Sequence, residues 1–402
     1  MLISTSWKEK TLSFFQYLPL IYMLVFMHFN GKGDMLFVAF VILFSIFSLL
    51  FSGVSVLAEN IRENYWLWVV MIFGGWLSII YIINGADSGF IRSLFSSVIY
   101  ILFFNCDRIK IKQMAILLFL ASLSFIYYVF SYNIGVERGY WEVNAIPLAY
   151  NFSVVAILTL FFLISSKRFS LTGFLLLLTV IFIFASIFGA QSRGPIVAIS
   201  AVVTFGFIFL YRATLNKNYL FIFLSLSLVL TVSYVIFPDI FFRIINTYSE
   251  LKSIFSGDLN TSIGYRLQLW KVGSELLGNM PWYGYGKNGL LEALSVINQD
   301  ERMSQTVYFL AKQHFHNGYL DILVRYGYIG ISLFFSILVL PIIMYRSENV
   351  KFLLIFSLCI LQFIVNLSEY NNIHPQSVIY FVVPLGVAIL MIRRKNENRI
   401  LH

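Results

Sequence analysis

The chain has 402 residues, of which 59% are hydrophobic and only 12% charged, with a mean hydropathy of +0.82. A soluble globular protein carries about 25% charged residues, so this chain lacks the polar surface for solubility and falls in the membrane class. Its net charge of +9 follows the pattern of membrane orientation rather than of nucleic-acid binding, and its two cysteines, Cys106 and Cys359, give no disulfide or metal spacing.

Lys8 and Lys10 precede an apolar run from Ser13 to Phe29 with no small-residue cleavage site after it, which reads as a retained first span. A span needs about 20 mostly apolar residues. Twelve such runs follow in order, near 13–29, 35–57, 65–83, 89–105, 113–131, 146–165, 170–189, 195–211, 219–237, 323–345, 352–368 and 376–392. The expected fold is therefore an all-α polytopic membrane protein. Spans one to nine occupy 1–237, a long loop covers about 238–322, and spans ten to twelve with a short tail fill 323–402.

Basic residues orient these spans. Lys8, Lys10, Arg62, Arg108, Lys110, Lys112, Lys167, Arg168, Arg212, Lys217, Arg346, Lys351, Arg393, Arg394, Lys395 and Arg399 fall on one side, sixteen in all; Lys32, Arg92, Arg138 and Arg193 make four in the short loops of the other. The positive-inside rule assigns the first set, and both termini, to the cytoplasm. The long loop mixes acids and bases and is expected outside.

That loop has ordered patterning. Phe241, Ile245, Tyr248, Leu251 and Phe255 follow helical spacing, the mark of an amphipathic helix on the membrane surface. Thr261 or Ser262 caps a second helix, Ile263 to Leu277, ended by Gly278 and Pro281. A glycine-rich turn, Gly284 to Gly289, precedes a third helical stretch, 291–312. The turn fits G-x-G-x-x-G but follows no strand, so a dinucleotide fold is rejected.

Few polar residues can carry chemistry. Arg193 lies in the tight turn Gly189-Ala190-Gln191-Ser192-Arg193-Gly194-Pro195 between spans seven and eight. An ionisable group there is a snorkelling arginine or a functional one, and its planar fork suits phosphate. Arg266 lies near the start of the capped helix, where amide dipoles also favour anions; the plain alternative is a solvated helix face. His316 precedes Asn317 where the loop joins span ten, and histidine is the side chain that best takes a proton near neutral pH. His314 is two residues away, so on a helix the two rings diverge and no metal pair is expected. Asp321 and Arg325, at i, i+4, read as a local ion pair. Gly327 and Gly330 read as a close helix contact. Glu369, Tyr370 and His374 make the last external loop polar, without specific spacing.

His316-Asn317, nine residues, then Gly327-Tyr328-Ile329-Gly330 matches the His-(Asn/Ser/Gln)-x9-Gly-x-x-Gly signature of the O-antigen ligase group within the O-antigen ligase/polymerase superfamily. Gln191-Ser192-Arg193-Gly194 resembles that family's arginine turn, and Ser262-Ile263-Gly264-Tyr265-Arg266-Leu267 resembles the segment holding its second arginine. The resemblance implies a glycosyltransferase of the bacterial inner membrane, active on its periplasmic side, without metal, cofactor or nucleotide sugar. The implied donor is an O-antigen glycan on undecaprenyl diphosphate, and the implied acceptor is lipid A–core, completing lipopolysaccharide. His316 is implied as general base and Arg193 and Arg266 as the diphosphate clamp, with direct displacement inverting the anomeric carbon. Asn317, Gln191, His314 and Arg325 are candidates for support; membrane lipids surround the site, and no nucleic acid is involved.

An O-antigen polymerase would share the donor. Such enzymes usually have two sizeable external loops, whereas loop 132–145 here is short. Protein O-oligosaccharyltransferases tend to be longer at the C-terminus. A twelve-span flippase or transporter would carry charges within its spans or helices broken in paired halves, and a purely structural protein would not need an ordered loop of about 80 residues.

Overall fold

The computed structural model describes residues 5–166, 170–214, 238–299, 303–346 and 350–400. The protein is all-α and polytopic. Nine helices among the described residues are long and apolar enough to cross a membrane. They begin with Trp7–Phe29, in which helix α1 (Thr5–Ile21) runs on through a π-turn at Tyr22–Phe26. The bundle continues with α2 (Gly33–Ser52), α3 (Ser55–Glu63), α4 (Tyr65–Asn84), α5 (Ser88–Phe103), α6 (Ile111–Tyr127), α7 (Ala145–Ser165), α8 (Leu171–Gly189) and α9 (Arg193–Thr214). After the long loop come α14 (Gly318–Met344), α15 (Val350–Asn366) and α16 (Pro375–Ile400), the loop helices α10 to α13 being given below. Helices α5 and α15 are apolar but shorter. The expected span at 219–237 lies outside the described residues.

Two expected spans change shape. The second was read to residue 57, but α2 stops at Ser52, where Gly53 takes φ +64°. The chain then turns into the short, polar α3, whose Asn60 amide donates to the carbonyls of Ile101, Leu102 and Phe104 and ties off the end of α5. The tenth was read from 323, but α14 starts five residues earlier because Asn317 caps it, accepting from the amides of Tyr319 and Leu320 at 3.1 Å each.

α14 also breaks at Gly327, whose φ of +69° and ψ of −167° lie outside helical space. The helical bond between Tyr328 N–H and the Val324 carbonyl is replaced from outside. Tyr328 N donates to the Trp282 carbonyl at 3.0 Å, and Tyr285 N donates to the Val324 carbonyl at 2.9 Å. Pro281 to Tyr285, turned by a Gly284 N–Pro281 O bond of 2.8 Å, is thus inserted into the helix ladder. A Cβ on Gly327 would run into the Trp282 carbonyl oxygen. The glycine expected to aid helix packing therefore admits a loop instead.

The loop has its own core. Helices α10 (Pro238–Phe255), α11 (Ser262–Leu276), α12 (Gly286–Gln299) and α13 (Gln305–Gln313) follow in order. Leu269, Val272 and Leu276 of α11 pack with Leu290, Leu294, Val307, Ala311, Phe315 and Val324, apart from the main core of the bundle. The single helical stretch expected at 291–312 is two helices, α12 and α13, with Ser304 capping the second through Val307 N at 3.2 Å. Lys287 N donates to the Gly85 carbonyl at 2.8 Å, which seats the loop core on the end of α4.

Candidate active site

Residues 314–317 form a non-helical elbow between α13 and α14. Two side chains from the first turns of α14 hold its approach. Asp321 Oδ2 accepts from Phe315 N at 2.9 Å, and Arg325 donates from Nη2 to the Gln313 carbonyl at 2.7 Å. The two make the expected i, i+4 pair at 3.4 Å, fully enclosed, so neither faces the loop cleft as a free charge. His316 takes φ +52°, a left-handed conformation that costs a non-glycine residue about 1–3 kcal/mol. The strain is met locally, because His316 N donates to His314 Nδ1 at 3.2 Å.

The elbow overturns the expectation that His314 and His316 diverge. That expectation assumed a helix. Off the helix, their ring centroids lie 4.1 Å apart, and both rings reach Glu369, just past the end of α15. His316 Nδ1 lies 3.0 Å from Glu369 Oε2, and His314 Nε2 lies 3.4 Å from Glu369 Oε1. Burial alone would push the Glu369 carboxyl up. The hydrogen bond from His316, with the neighbouring imidazoles, instead brings it down to about 2. Burial pushes His314 down to about 3, so it is neutral.

These contacts fix the tautomers. An ionised carboxylate only accepts, so His316 holds a proton on Nδ1 toward Glu369, and the lone pair of the neutral ring falls on Nε2, which has no protein partner among the described residues. His314 accepts an amide at Nδ1 and must hold its proton on Nε2, facing Glu369. The donor atoms of His314, His316 and Glu369 lie within 4.8 Å of one another, the dimensions of a divalent-cation site. A cation would need the His314 Nε2 lone pair, and a proton on Nδ1 would then face the His316 amide. Internal hydrogen bonding accounts for the cluster without one.

The arginines approach from two other elements. Gln191 turns the chain with φ +51°, Arg193 opens α9, and a Cβ at Gly194 would lie 3.2 Å from Ser368 Oγ, next to Glu369. Arg193 donates to Thr247 Oγ1 at 2.7 Å and to Glu250 Oε1 at 2.8 Å. Thr261 caps α11 through Gly264 N at 3.0 Å, which sets Arg266 in its second turn. Burial lowers the Arg266 pKa; Glu369 raises it, Arg193 lowers it and Glu250 raises it, so one guanidinium senses all three groups. Arg266 and His316, far apart in sequence, thus both interact with Glu369, and Arg193 interacts with Arg266. Sequence reading passed over Glu369 as one polar residue in a loop. Its one available signal was an acid at the mouth of a span, a place where ionisable residues are expensive.

The O-antigen ligase family profile matches residues 178–335, a stretch that includes Arg193, Arg266 and His316 but ends before Glu369. The chain is also similar to an uncharacterized protein of Haemophilus influenzae, 27% identical over 203 residues, which is 49% of this chain and 48% of that protein. The chain thus spans about half the length of the curated relative it matches. Over residues 178–335 the chain is thus similar to the O-antigen ligase family.

Proposed function

We propose that the protein is an inverting glycosyltransferase of the bacterial inner membrane. It moves O-antigen glycan from undecaprenyl diphosphate to a sugar hydroxyl of lipid A–core at the periplasmic face, without a metal ion or cofactor. The observation that carries this reading is His316: Nδ1 is held by an ionised carboxylate, which leaves Nε2, without a protein partner among the described residues, to take a proton.

In the proposed reaction, Nε2 takes the proton of the acceptor hydroxyl while its oxygen attacks the anomeric carbon from the face opposite the diphosphate. The carbon–oxygen bond to the diphosphate breaks, and its electron pair leaves with the lipid. Arg193 and Arg266 hold the diphosphate and stabilise its growing charge. Glu369 keeps His316 in the right tautomer and stabilises the imidazolium as it forms, the part a carboxylate plays beside a catalytic histidine. Asp321 and Arg325 fix the backbone before His316, Asn317 caps the helix after it, and Gln191 shapes the turn that presents Arg193.

The acceptor assignment favours ligase over polymerase because the connection from Tyr132 to Ala145 holds no more than a short turn at Arg138–Tyr140. His316→Ala tests the reading. Lipopolysaccharide from cells carrying it should lose polymer on core while lipid-linked polymer accumulates and the protein stays in the membrane. Full ligation by this variant would remove His316 from the mechanism. A single repeat on core in the deletion strain would make the protein a polymerase, and donor trapped on the cytoplasmic side would make it a flippase.

A further inference from the structure

We propose that Glu250 is the resident anion of the diphosphate site, and that the donor binds by displacing it and lifting α10 from the bundle. The inference rests on the assignment of Arg193 and Arg266 to the diphosphate.

Glu250 already makes the contacts a phosphoryl group would seek. One carboxylate oxygen accepts from Arg193 Nη2 at 2.8 Å. The other accepts from the amide of Ile263 at 3.2 Å, in the half-buried first turn of α11. Arg266, less than a turn further along α11, interacts with the same carboxylate. A guanidinium fork, a helix N-terminus and a second cation are a built anion site. The two arginines repel each other when nothing lies between them. Glu250 supplies the missing charge between turnovers, and it competes with the diphosphate product when the reaction is over.

Among the described residues, the helix that carries Glu250 meets α9 where Thr247 and Glu250 grip Arg193. Its other side exposes Phe242, Ile245, Tyr248, Leu251 and Phe255, a face suited to the boundary between headgroups and acyl chains. α10 can therefore release Arg193 and stay on the lipid. Gly257, at φ +92° with open space around it, supplies the turn between α10 and α11.

If the Arg193–Glu250 pair is closed about nine-tenths of the time, it weakens apparent diphosphate binding about tenfold. The test uses purified protein in lipid nanodiscs with inorganic pyrophosphate as probe. Glu250→Gln should bind pyrophosphate about tenfold more tightly than wild type, and Arg193→Ala should bind it at least tenfold more weakly. Equal or weaker binding by Glu250→Gln, with binding lost in Arg193→Ala, overturns the displacement and leaves the diphosphate assignment standing. Equal binding by wild type, Arg193→Ala and Arg266→Ala overturns the assignment itself. A second measurement leaves Glu250 in place. Ile254→Cys, half-buried on α10, should react several-fold faster with a water-soluble maleimide once pyrophosphate is added; an unchanged or slower rate overturns the lifting of α10.

Discussion

Glu369→Gln removes the charge beside His316 and keeps the side-chain shape. The carboxylate is about 2% exposed and accepts from His316 Nδ1 at 3.0 Å. A hydrogen bond to a charged group contributes about 1.5–3 kcal/mol. That interaction strengthens when His316 gains a proton in the transition state, so its loss should fall on kcat. At about 1.4 kcal/mol per decade, the expected loss is roughly 10- to 150-fold. The glutamine can also turn its amide nitrogen toward His316 and favour the wrong tautomer, which places the figure toward the upper end. The assay is transfer from a lipid-linked glycan to lipid A–core in proteoliposomes, with both substrates varied. A loss in kcat with KM changed less than about threefold fits a positioning role. Wild-type kcat, or a loss confined to KM, would refute the orientation of His316 by Glu369.

Three further outcomes are expected. Gly327→Ala puts a Cβ against the Trp282 carbonyl at φ +69° and should cost at least about 2 kcal/mol of stability, read as a lower thermal midpoint with reduced transfer; an unchanged midpoint would contradict the inserted loop. Between about pH 6.5 and 3 the unfolded chain protonates His314 while the folded protein does not, so folded stability should fall as pH drops through that window. The slope reaches at most about 1.4 kcal/mol per pH unit, and His314→Phe should flatten it in thermal unfolding followed by tryptophan fluorescence; an equal slope in the variant would show that other groups set it. Exhaustive chelation should leave transfer within about twofold of the untreated rate, and a larger loss restored by a divalent cation would make His314, His316 and Glu369 a metal site.

The layout of the bundle was largely legible in sequence because bilayer thickness demands apolar runs of about 20 residues, and such runs are hard to miss. Arg193, Arg266 and His316 stood out because a chain with few charges has few places for chemistry. What was hidden depended on distant partners. The kink at Gly327 exists because Trp282 and Tyr285 supply the bonds the helix gives up, some 40 residues earlier in the chain. The divergence expected of His314 and His316 assumed helical spacing, although Asn317 before Gly318 is an N-cap signal for a helix that starts after both histidines. Glu369 lies 53 residues from His316, and no local pattern pairs them. Glu250 lies 57 residues from Arg193, and only the fold turns its carboxylate onto that guanidinium.

The central claim is best tested with purified protein in proteoliposomes given undecaprenyl-diphosphate-linked glycan and lipid A–core. The expected result is glycan joined to core with one undecaprenyl diphosphate released per transfer, an inverted anomeric linkage, and none of this from His316→Ala. Glycan joined only to another lipid-linked glycan, a retained linkage, or undiminished transfer by His316→Ala would contradict it.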